Sequence, residues 1–346
     1  MGALAGMALF LLLVAPAGAS SVREASPPPR DTVIERPSLG SARISASASI
    51  ARYAVNDGSG ATVAISVTPA CQVSCTAADP QSIANFLGTL VHGPEMELLT
   101  VQLDTPSQLG FDCGFGAQAC YYGSEGKVVI SGNDGLAPDG ASREFVLAHE
   151  YGHHLARHRE SAPPFPPAID WGTPHWSSYE DVCRRSRGGG LLPGYEGLHY
   201  FRDPGEAFAE AFAFNRFPDS GVEWRWPAAL EPDRGTFEAI RLDALRPWRT
   251  RTAFRLEGRV PSRRGGIEAM AFRTPLDGIV SLRPSGRRRY DLRLTNRAGR
   301  VLRTARHGRG RGGPLNFTVC GQSRLRVAVQ ATGRRGGPFE LQIQRP

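Results

Sequence analysis

The chain has 346 residues, of which 41% are hydrophobic and 21% charged, a composition that is typical of globular proteins and excludes a coiled coil, a collagen and a multi-span membrane protein. At about 100 to 200 residues per domain, this length predicts two domains. The charge is divided unevenly: residues 251–346 hold 22 arginines against five acidic residues, a balance of +17, while residues 1–250 carry −9. This asymmetry indicates a domain boundary near residue 250.

The first segment is apolar and ends in the small-residue pattern Ala-Gly-Ala at residues 17–19, which is typical of a signal-peptide cleavage site. Pro16 interrupts the apolar run after about 14 residues, fewer than the about 20 that span a bilayer. The pattern therefore predicts a signal peptide over residues 1–19 and a secreted, extracellular protein without a membrane span. Residues 20–45, rich in Ser, Pro and Arg, predict a disordered leader or pro-segment.

Predicted secondary structure begins at residue 50. Residues 51–55 and 61–67 flank the turn sequence Asn-Asp-Gly-Ser-Gly and predict a two-stranded hairpin. The next predicted elements are a helix over residues 82–91, strands over residues 96–103 and 127–131, and a helix that opens near Ser142 and ends before Pro163. The last of these strands therefore leads directly into the longest predicted helix.

Six cysteines, an even number in a chain with an export signal, predict disulfides rather than free thiols. The local spacings favour the pairs Cys71–Cys75 and Cys113–Cys120, which would leave Cys183–Cys320 to join the two halves of the chain. Six cysteines allow 15 pairings, so other connectivities stay open. A cysteine-ligated zinc site is the alternative, but the spacings lack the paired CxxC sequences that are typical of such sites.

The helix that opens near Ser142 carries an HExxH motif, which runs from His149 to His153. At about 100° per residue, the two histidines project only about 40° apart, so both imidazoles can bind one ion from consecutive turns. Glu150 follows the first histidine and can approach a metal-bound water as a general base. The alternative is a pair of surface histidines on a polar helix face.

A second helix is predicted from Asp203 onward, where the sequence Asp-Pro-Gly-Glu gives the signals of a helix start. This helix places Glu206 and Glu210 four residues apart on one face. A hydrolytic zinc site needs three protein ligands and an open position, and Glu206 would complete such a set with the two histidines. Glu210, one turn further on, is placed to accept the outer N–H of a metal-bound imidazole. The alternative is an amphipathic helix with solvated glutamates.

Together, the HExxH motif and the later Glu-x-Phe-Ala-Glu-x-Phe run resemble the gluzincin group of zinc metallopeptidases over roughly residues 140–215. The resemblance implies an α+β zincin-like catalytic domain, assigned to residues 46–248, with one catalytic Zn²⁺. It also implies the site residues, which are the metal ligands His149, His153 and Glu206, the base Glu150 and the supporting carboxylate Glu210. The metzincin pattern HExxHxxGxxH is excluded, because Ala156 and Arg159 replace its Gly and its third His.

Peptide hydrolysis also needs a hydrogen-bond donor to the developing oxyanion. The enzymes that this sequence resembles use a Tyr or a His, and Tyr200 is favoured here over Tyr195 and His199. Each of the three would equally be an ordinary packed or surface side chain.

Two further expectations concern the surroundings of the motif. In the zincin fold the strand before the active helix is a sheet edge that pairs with extended substrate, which implies this role for Lys127–Ser131. His154 and His158 point away from the metal by their helical angle, so both are expected at the surface.

Beyond Trp248 the sequence predicts an all-β sandwich over residues 251–346, because short alternating segments are separated by Gly, Pro and Asn turns. Its last segments are similar to the PPC-like module of bacterial peptidases, and no catalytic residue is expected there. The balance of +17 favours an anionic cell-wall polymer as partner, with a solvated, solubilising surface as the alternative. Nucleic acid is disfavoured, because stacking aromatics are not interleaved with the arginines.

The function predicted from these patterns is a secreted zinc-dependent endopeptidase that hydrolyses protein or peptide substrates through a metal-activated water. The alternative is a non-enzymatic secreted protein that binds an anionic cell-wall polymer or glycan through the basic C-terminal domain. The glutamates at positions 206 and 210 distinguish the two hypotheses, since a binding protein has no need of them.

Overall fold

The computed structural model describes residues 50–137, 139–195, 197–263, 266–285, 290–306, 313–332 and 336–346, together with the backbone of Val33–Ile34. The predicted signal peptide, the rest of the predicted leader and the arginine-rich stretches at 286–289 and 307–312 lie outside these residues. Helices and one sheet make up an α+β region that extends to Leu245, and from Thr252 the described residues form strands and their connecting loops. The chain is therefore a mixed α+β region followed by a β region, as the sequence predicts.

A six-stranded mixed sheet forms one layer of the α+β region, in the order β1-β5-β6-β4-β3-β2. Strands β3, β4 and β6 run parallel to one another, whereas β2 and β5 run antiparallel to their neighbours β3 and β6. The pair β2 and β3 is the predicted hairpin. The strands are β1 Val33–Ile34, β2 Ala51–Ala54, β3 Thr62–Val67, β4 Thr100–Asp104, β5 Ala119–Tyr122 and β6 Lys127–Ser131.

Helices pack against this sheet and against one another. The two predicted helix starts agree with the structure: Ser142 caps α4 by accepting the N–H of Phe145 at 3.1 Å, and Asp203 caps α8 by accepting the N–H of Gly205 at 2.7 Å. The helices are α1 Pro69–Ser74, α2 Pro80–Leu87, α3 Pro106–Asp112, α4 Arg143–Arg157, α5 Ala168–Trp171, α6 Pro174–Tyr179, α7 Val182–Arg187, α8 Pro204–Arg216 and α9 Arg234–Leu245. In the part of the chain that the structure describes, each helix is too short or too polar to cross a bilayer.

Two predicted elements have different bounds in the structure. The helix predicted over residues 82–91 is α2, because Asp79 caps it earlier by accepting the N–H of Gln81 at 3.1 Å. The strand predicted from Met96 begins only at Thr100, because Pro94–Leu98 form a 3-10 helix. Both differences lie at element ends, where local signals are weakest.

The expectation that Lys127–Ser131 form a sheet edge is wrong. This strand, β6, lies between β4 and β5 and is hydrogen-bonded on both sides. The physical reason is that the chain folds back before it: β5 pairs antiparallel with β6, and all four of its residues are buried. On its other side β5 pairs in parallel with β1. Strand β1 lies within residues 20–45, for which the sequence predicts no regular structure.

The β region is a sandwich of two four-stranded antiparallel sheets, in the orders β11-β10-β13-β8 and β12-β9-β14-β7. Alternate residues along the strands of both sheets face inward and form its core, and Val280, Leu292, Val327 and Leu341 are among the most buried of them. The strands are β7 Thr252–Val260, β8 Ile267–Thr274, β9 Gly278–Ser285, β10 Tyr290–Asn296, β11 Val301–Ala305, β12 Leu315–Val319, β13 Ser323–Ala331 and β14 Gly337–Arg345.

Disulfides connect the six cysteines in the pairs that the sequence favours: Cys71–Cys75, Cys113–Cys120 and Cys183–Cys320. The third disulfide joins α7 to the loop after β12 and so links the α+β region to the sandwich. Beside it, the backbone N–H of Asp277 donates to the hydroxyl of Ser178 at 2.8 Å. The two regions are therefore in direct contact, and the side chain of Asp277 is buried between them.

Candidate metal centre

The candidate site is formed where α4 packs against α8. Gly152 of α4 faces Ala209 of α8 so closely that a Cβ atom added to the glycine would lie 2.8 Å from the Cα of Ala209. A real Cβ does not approach a backbone atom to that distance, so the close approach of the two helices depends on the glycine. Because the helices are this close, side chains on α8 reach the histidines of α4.

Three predicted ligands come together at this crossing: His149, His153 and Glu206, each at most 2% exposed. The Nε2 atoms of the two histidines lie 3.2 Å apart. The Oε2 atom of Glu206 lies 3.4 Å from the first of these nitrogens and 3.3 Å from the second. The three atoms thus form a nearly equilateral triangle.

The size and chemistry of this triangle fit a zinc ion. Two ligands of a tetrahedral Zn²⁺, each about 2.0 to 2.1 Å from the metal, lie about 3.3 to 3.4 Å apart. The donor set, two imidazoles and one carboxylate, is one that catalytic zinc sites use. Among the described residues, the buried Oε2 of Glu206 also has no hydrogen-bond partner, which is costly unless a cation or a proton binds there.

Glu210 lies behind the triangle. Its Oε2 is 2.9 Å from Nδ1 of His149. A carboxylate only accepts hydrogen bonds, so this contact places the proton of the neutral imidazole on Nδ1 and leaves the lone pair of Nε2 directed at the centre of the triangle. Glu150 follows His149 in the motif and is fully buried. The structure thus holds the predicted base on the same helix as two of the predicted ligands.

Tyr200 lies in a short 3-10 helix, Tyr200–Arg202, that precedes α8. The residue is 5% exposed, and its ring packs against Phe201 and Trp226. The alternatives lie nearby in the chain, where Tyr195 is exposed and its ring contacts that of His199 at a centroid separation of 5.0 Å and an interplanar angle of 43°. The choice of oxyanion donor among these residues stays a prediction.

Asp203, which caps α8 near the site, has a strongly altered acidity. Burial, followed by the negative charge of Glu206, raises the pKa of Asp203 to about 8. Its N–H partners, Gly205 and Tyr195, act in the opposite direction but are weaker. The start of α8 therefore carries a carboxyl group that is largely protonated at neutral pH, which lowers the negative charge near Glu206.

A buried polar network holds the opposite side of α4, and sequence reasoning missed it. Glu95 accepts the hydroxyl of Tyr151 at 2.8 Å and the guanidinium of Arg159 at 2.8 Å. Burial favours the neutral form of Glu95, but the charge and hydrogen bonds of Arg159 and the N–H of Gly93 outweigh it and lower the pKa of the carboxyl. The network thus connects α4 and Arg159, which follows it, to the 3-10 helix Pro94–Leu98.

His154 belongs to the same network, so the expectation that it lies at the surface is wrong. It is fully buried, with Nε2 2.8 Å from the carbonyl oxygen of Glu95 and Nδ1 3.1 Å from the hydroxyl of Tyr121. Burial lowers the pKa of His154 to about 4. The helical angle correctly directs this side chain away from the triangle, but β5 and the 3-10 helix cover that side of α4. His158, one turn later, is exposed as expected.

A mostly apolar groove of about 280 Å³ lies beside the first turns of α4. Its lining includes Ile130 at the end of β6, Leu136 in the following loop and Val146, which lies one helical turn before His149. The exposed side chain of Leu136 forms part of its rim. The groove is thus an apolar space next to the motif that is open to solvent.

Comparisons with known proteins assign no family to the chain. Its sequence matches no protein-family model and none of the curated proteins. Among solved structures, one similarity is to the pre-peptidase C-terminal domain of a collagenase from Bacillus anthracis, at 11% identity and a TM-score of 0.19, over 26% of this chain and 87% of that one. A TM-score of this size is too low to assign a shared fold, so the PPC-like character of the sandwich stays a prediction.

Proposed function

We propose that the chain is a secreted zinc-dependent endopeptidase, with a zincin-like catalytic domain formed by the α+β region. The observation that carries the proposal is the triangle of two imidazole nitrogens and one carboxylate oxygen, 3.2 to 3.4 Å apart, at the crossing of α4 and α8. The same arrangement weighs against a purely non-enzymatic role, because these three buried side chains and the buried Glu210 behind them are brought together at one point.

Each residue of the site has a role that follows from its position. His149, His153 and Glu206 would hold the ion, and Glu210 holds the proton on Nδ1 of His149. When bound, zinc supplies Lewis acidity and a water of lowered pKa. Glu150 accepts the proton of the attacking water on its carboxylate and passes it to the nitrogen of the leaving amine.

The remaining steps concern substrate binding and the oxyanion. The apolar groove beside Val146 accepts one apolar side chain of the peptide, and so orients the scissile bond relative to the triangle. Tyr200 is retained as the proposed donor to the oxyanion. Substrate does not pair with β6, since that strand is already hydrogen-bonded on both sides.

The test separates the base from the ligands. Wild-type protein should contain about one Zn²⁺ per chain and hydrolyse a casein substrate, and chelation should abolish both. Glu150→Gln should retain the metal and the thermal stability but lose about 10²- to 10⁴-fold in hydrolysis, because a positioned base contributes about that factor.

Glu144→Gln is the matched control, since Glu144 lies on the same helix at a solvent-accessible position. It should hydrolyse casein at the wild-type rate. Near-normal turnover of the Glu150→Gln variant would remove Glu150 from the mechanism, and a wild-type protein that binds no metal would remove the proposal itself.

A further inference from the structure

The two outer faces of the sandwich differ in their chemistry. On the sheet β12-β9-β14-β7, outward-facing residues such as Ser281 and Gln342 lie beside an ion pair between Arg255 and Glu340 at 3.4 Å. On the sheet β11-β10-β13-β8, the described outward-facing side chains include a single acid, Asp291. They also include five arginines, namely Arg273, Arg293, Arg306, Arg324 and Arg326. The other face carries three described outward-facing arginines, Arg255, Arg259 and Arg283, against the acids Glu257 and Glu340. Among the described outward-facing side chains, the net positive charge is therefore larger on the sheet β11-β10-β13-β8.

Four of those five arginines form a diagonal stripe across the sheet. Arg293 on β10 is paired with Ala328 on β13, two residues from Arg326. Arg326 is in turn paired with Ala271 on β8, two residues from Arg273. Each step therefore crosses to the next strand and advances two residues in the same direction, which is a distance of about 8 Å.

The stripe continues onto the edge strand. Ala305 of β11 is paired with Leu292, so the next residue, Arg306, falls beside Asp291, one further step along the diagonal. Arg306 and Arg293 both line a shallow groove of about 430 Å³. We define the stripe as Arg306, Arg293, Arg326 and Arg273, and its length is about 25 Å.

The side chains between the arginines are small, apart from Asp291, which lies beside Arg306. Alanines and threonines, including Ala269, Ala271, Thr304 and Ala328, separate the members of the stripe, so a chain-like ligand can lie flat on the sheet between the guanidinium groups. Each guanidinium can bind a phosphate through two parallel N–H donors. Among the described outward-facing residues of these strands there is no aromatic side chain on which a nucleic-acid base would stack.

We infer that the stripe is a binding surface for a linear polyol phosphate, a polymer with one phosphodiester per repeat. Six covalent bonds separate neighbouring phosphorus atoms in a three-carbon polyol phosphate. Three bonds of an extended chain span about 3.8 Å, so the repeat of such a polymer is about 7 to 8 Å. This repeat matches the spacing of the arginines, so successive phosphates of one chain can contact successive guanidinium groups.

The experiment measures binding of the full-length, disulfide-bonded protein to immobilised poly(glycerol phosphate) across a salt series. The stripe variant is R273Q/R293Q/R326Q. The matched control is R251Q/R259Q/R283Q, which removes the same charge from exposed positions in or next to the other sheet. Because all six residues are exposed, both variants are expected to unfold at the wild-type temperature.

The stripe variant should bind at least about tenfold more weakly than wild type at low salt. Its slope of log Kd against log salt should fall by about 2, because each arginine that neutralises a phosphate contributes about 0.7 to the slope. The control should bind within about threefold of wild type. Equal weakening of the two variants would show that net charge alone causes binding and would overturn the inference.

Two further arms test the kind of ligand. Vesicles containing phosphatidylglycerol should bind more weakly than the polyol phosphate, because their phosphates are not joined in one chain. Single-stranded DNA has about the same phosphate spacing, but its bases stack on one another and meet no aromatic side chain among the described outward-facing residues, so it should also bind more weakly. Tighter binding to either of them, abolished in the stripe variant, would overturn the choice of polymer. None of these measurements involves peptide hydrolysis, so failure of the proposed peptidase activity would leave this inference unaffected.

Discussion

At the scale of single residues, Glu206 and Glu210 show how position separates the roles of two identical side chains. They lie on successive turns of α8 and are both buried. Glu206 directs Oε2 at two imidazole nitrogens, whereas Glu210 directs Oε2 at the outer nitrogen of His149. In the proposed zinc site, a carboxylate in the first position would bind the metal directly and one in the second position would orient a ligand.

This difference predicts that Glu206→Ala impairs zinc retention more than Glu210→Ala. The first variant loses a ligand, and the second loses an orienting hydrogen bond, for which an affinity loss of about 10- to 100-fold is typical. Titration of each variant with zinc in the presence of a competing chelator gives the two affinities. If Glu210→Ala proved the weaker binder, the roles assigned to the two residues would be reversed.

Much of the site was predictable because its signals are local. The spacing of His149 and His153 within one helix is enough to place both on one side. Whether Glu206 meets the two histidines depends on how α4 and α8 pack. The sequence indicated that packing only through the resemblance to gluzincins. Glu95 was missed because its partners Tyr151 and Arg159 are 56 and 64 residues away, and no local pattern connects them.

At the scale of elements, the contact between α4 and α8 decides whether the ligands meet. Gly152 lies between two of the motif's functional residues and opposes the backbone of Ala209. A larger side chain would separate the helices and so move Glu206 away from the histidines. The glycine of the motif is therefore a packing requirement of the site.

Gly152→Ala is expected to destabilise the protein by about 1 to 3 kcal/mol, since the added methyl meets backbone that cannot rotate away. Zinc affinity should fall with it. Gly110→Ala is the control, because Gly110 lies in α3 with open space around its Cα, and alanine there is expected to be neutral or mildly stabilising. Thermal unfolding and zinc titration test both variants, and an unchanged Gly152→Ala variant would show that the helices have room to adjust.

The order of the sheet was less predictable than its strands. Lys127–Ser131 was correctly predicted as a strand from its apolar run, but its neighbours were not. Residues 119–122 pair with it only because the chain folds back on itself, and a strand's own sequence does not state what lies beside it. Hydrophobic pattern thus predicts that a strand is buried, while its place in the sheet depends on the other strands.

At the scale of the whole molecule, the two regions meet around Asp277. Its side chain accepts the N–H of Gly321 and lies near Asp181, and its Oδ2 has no hydrogen-bond partner within the described part of the chain. Burial, assisted by the charge of Asp181, raises the pKa of Asp277 to about 7. The folded protein therefore favours the protonated carboxyl.

A raised pKa means that the folded state binds the proton more tightly than the unfolded state does. The stabilisation is complete below the unfolded pKa of about 4 and is lost as the pH rises to about 7. Asp277→Asn removes this titration but keeps the acceptor for Gly321. The melting temperature of the variant, relative to wild type, should therefore rise between pH 4 and pH 8. A difference that is constant across this range would contradict the assignment.

The disulfide between Cys183 and Cys320 would keep the two regions covalently joined if the peptide chain between them were cleaved. Arg246, Arg249 and Arg251 lie exposed in the short connection between α9 and β7, where a trypsin-like protease finds its preferred residues. A cut there would fall inside the 137-residue loop that the disulfide closes. The product would be two polypeptides in one covalent molecule, in which the proposed catalytic half and the arginine stripe stay attached after the peptide connection is gone.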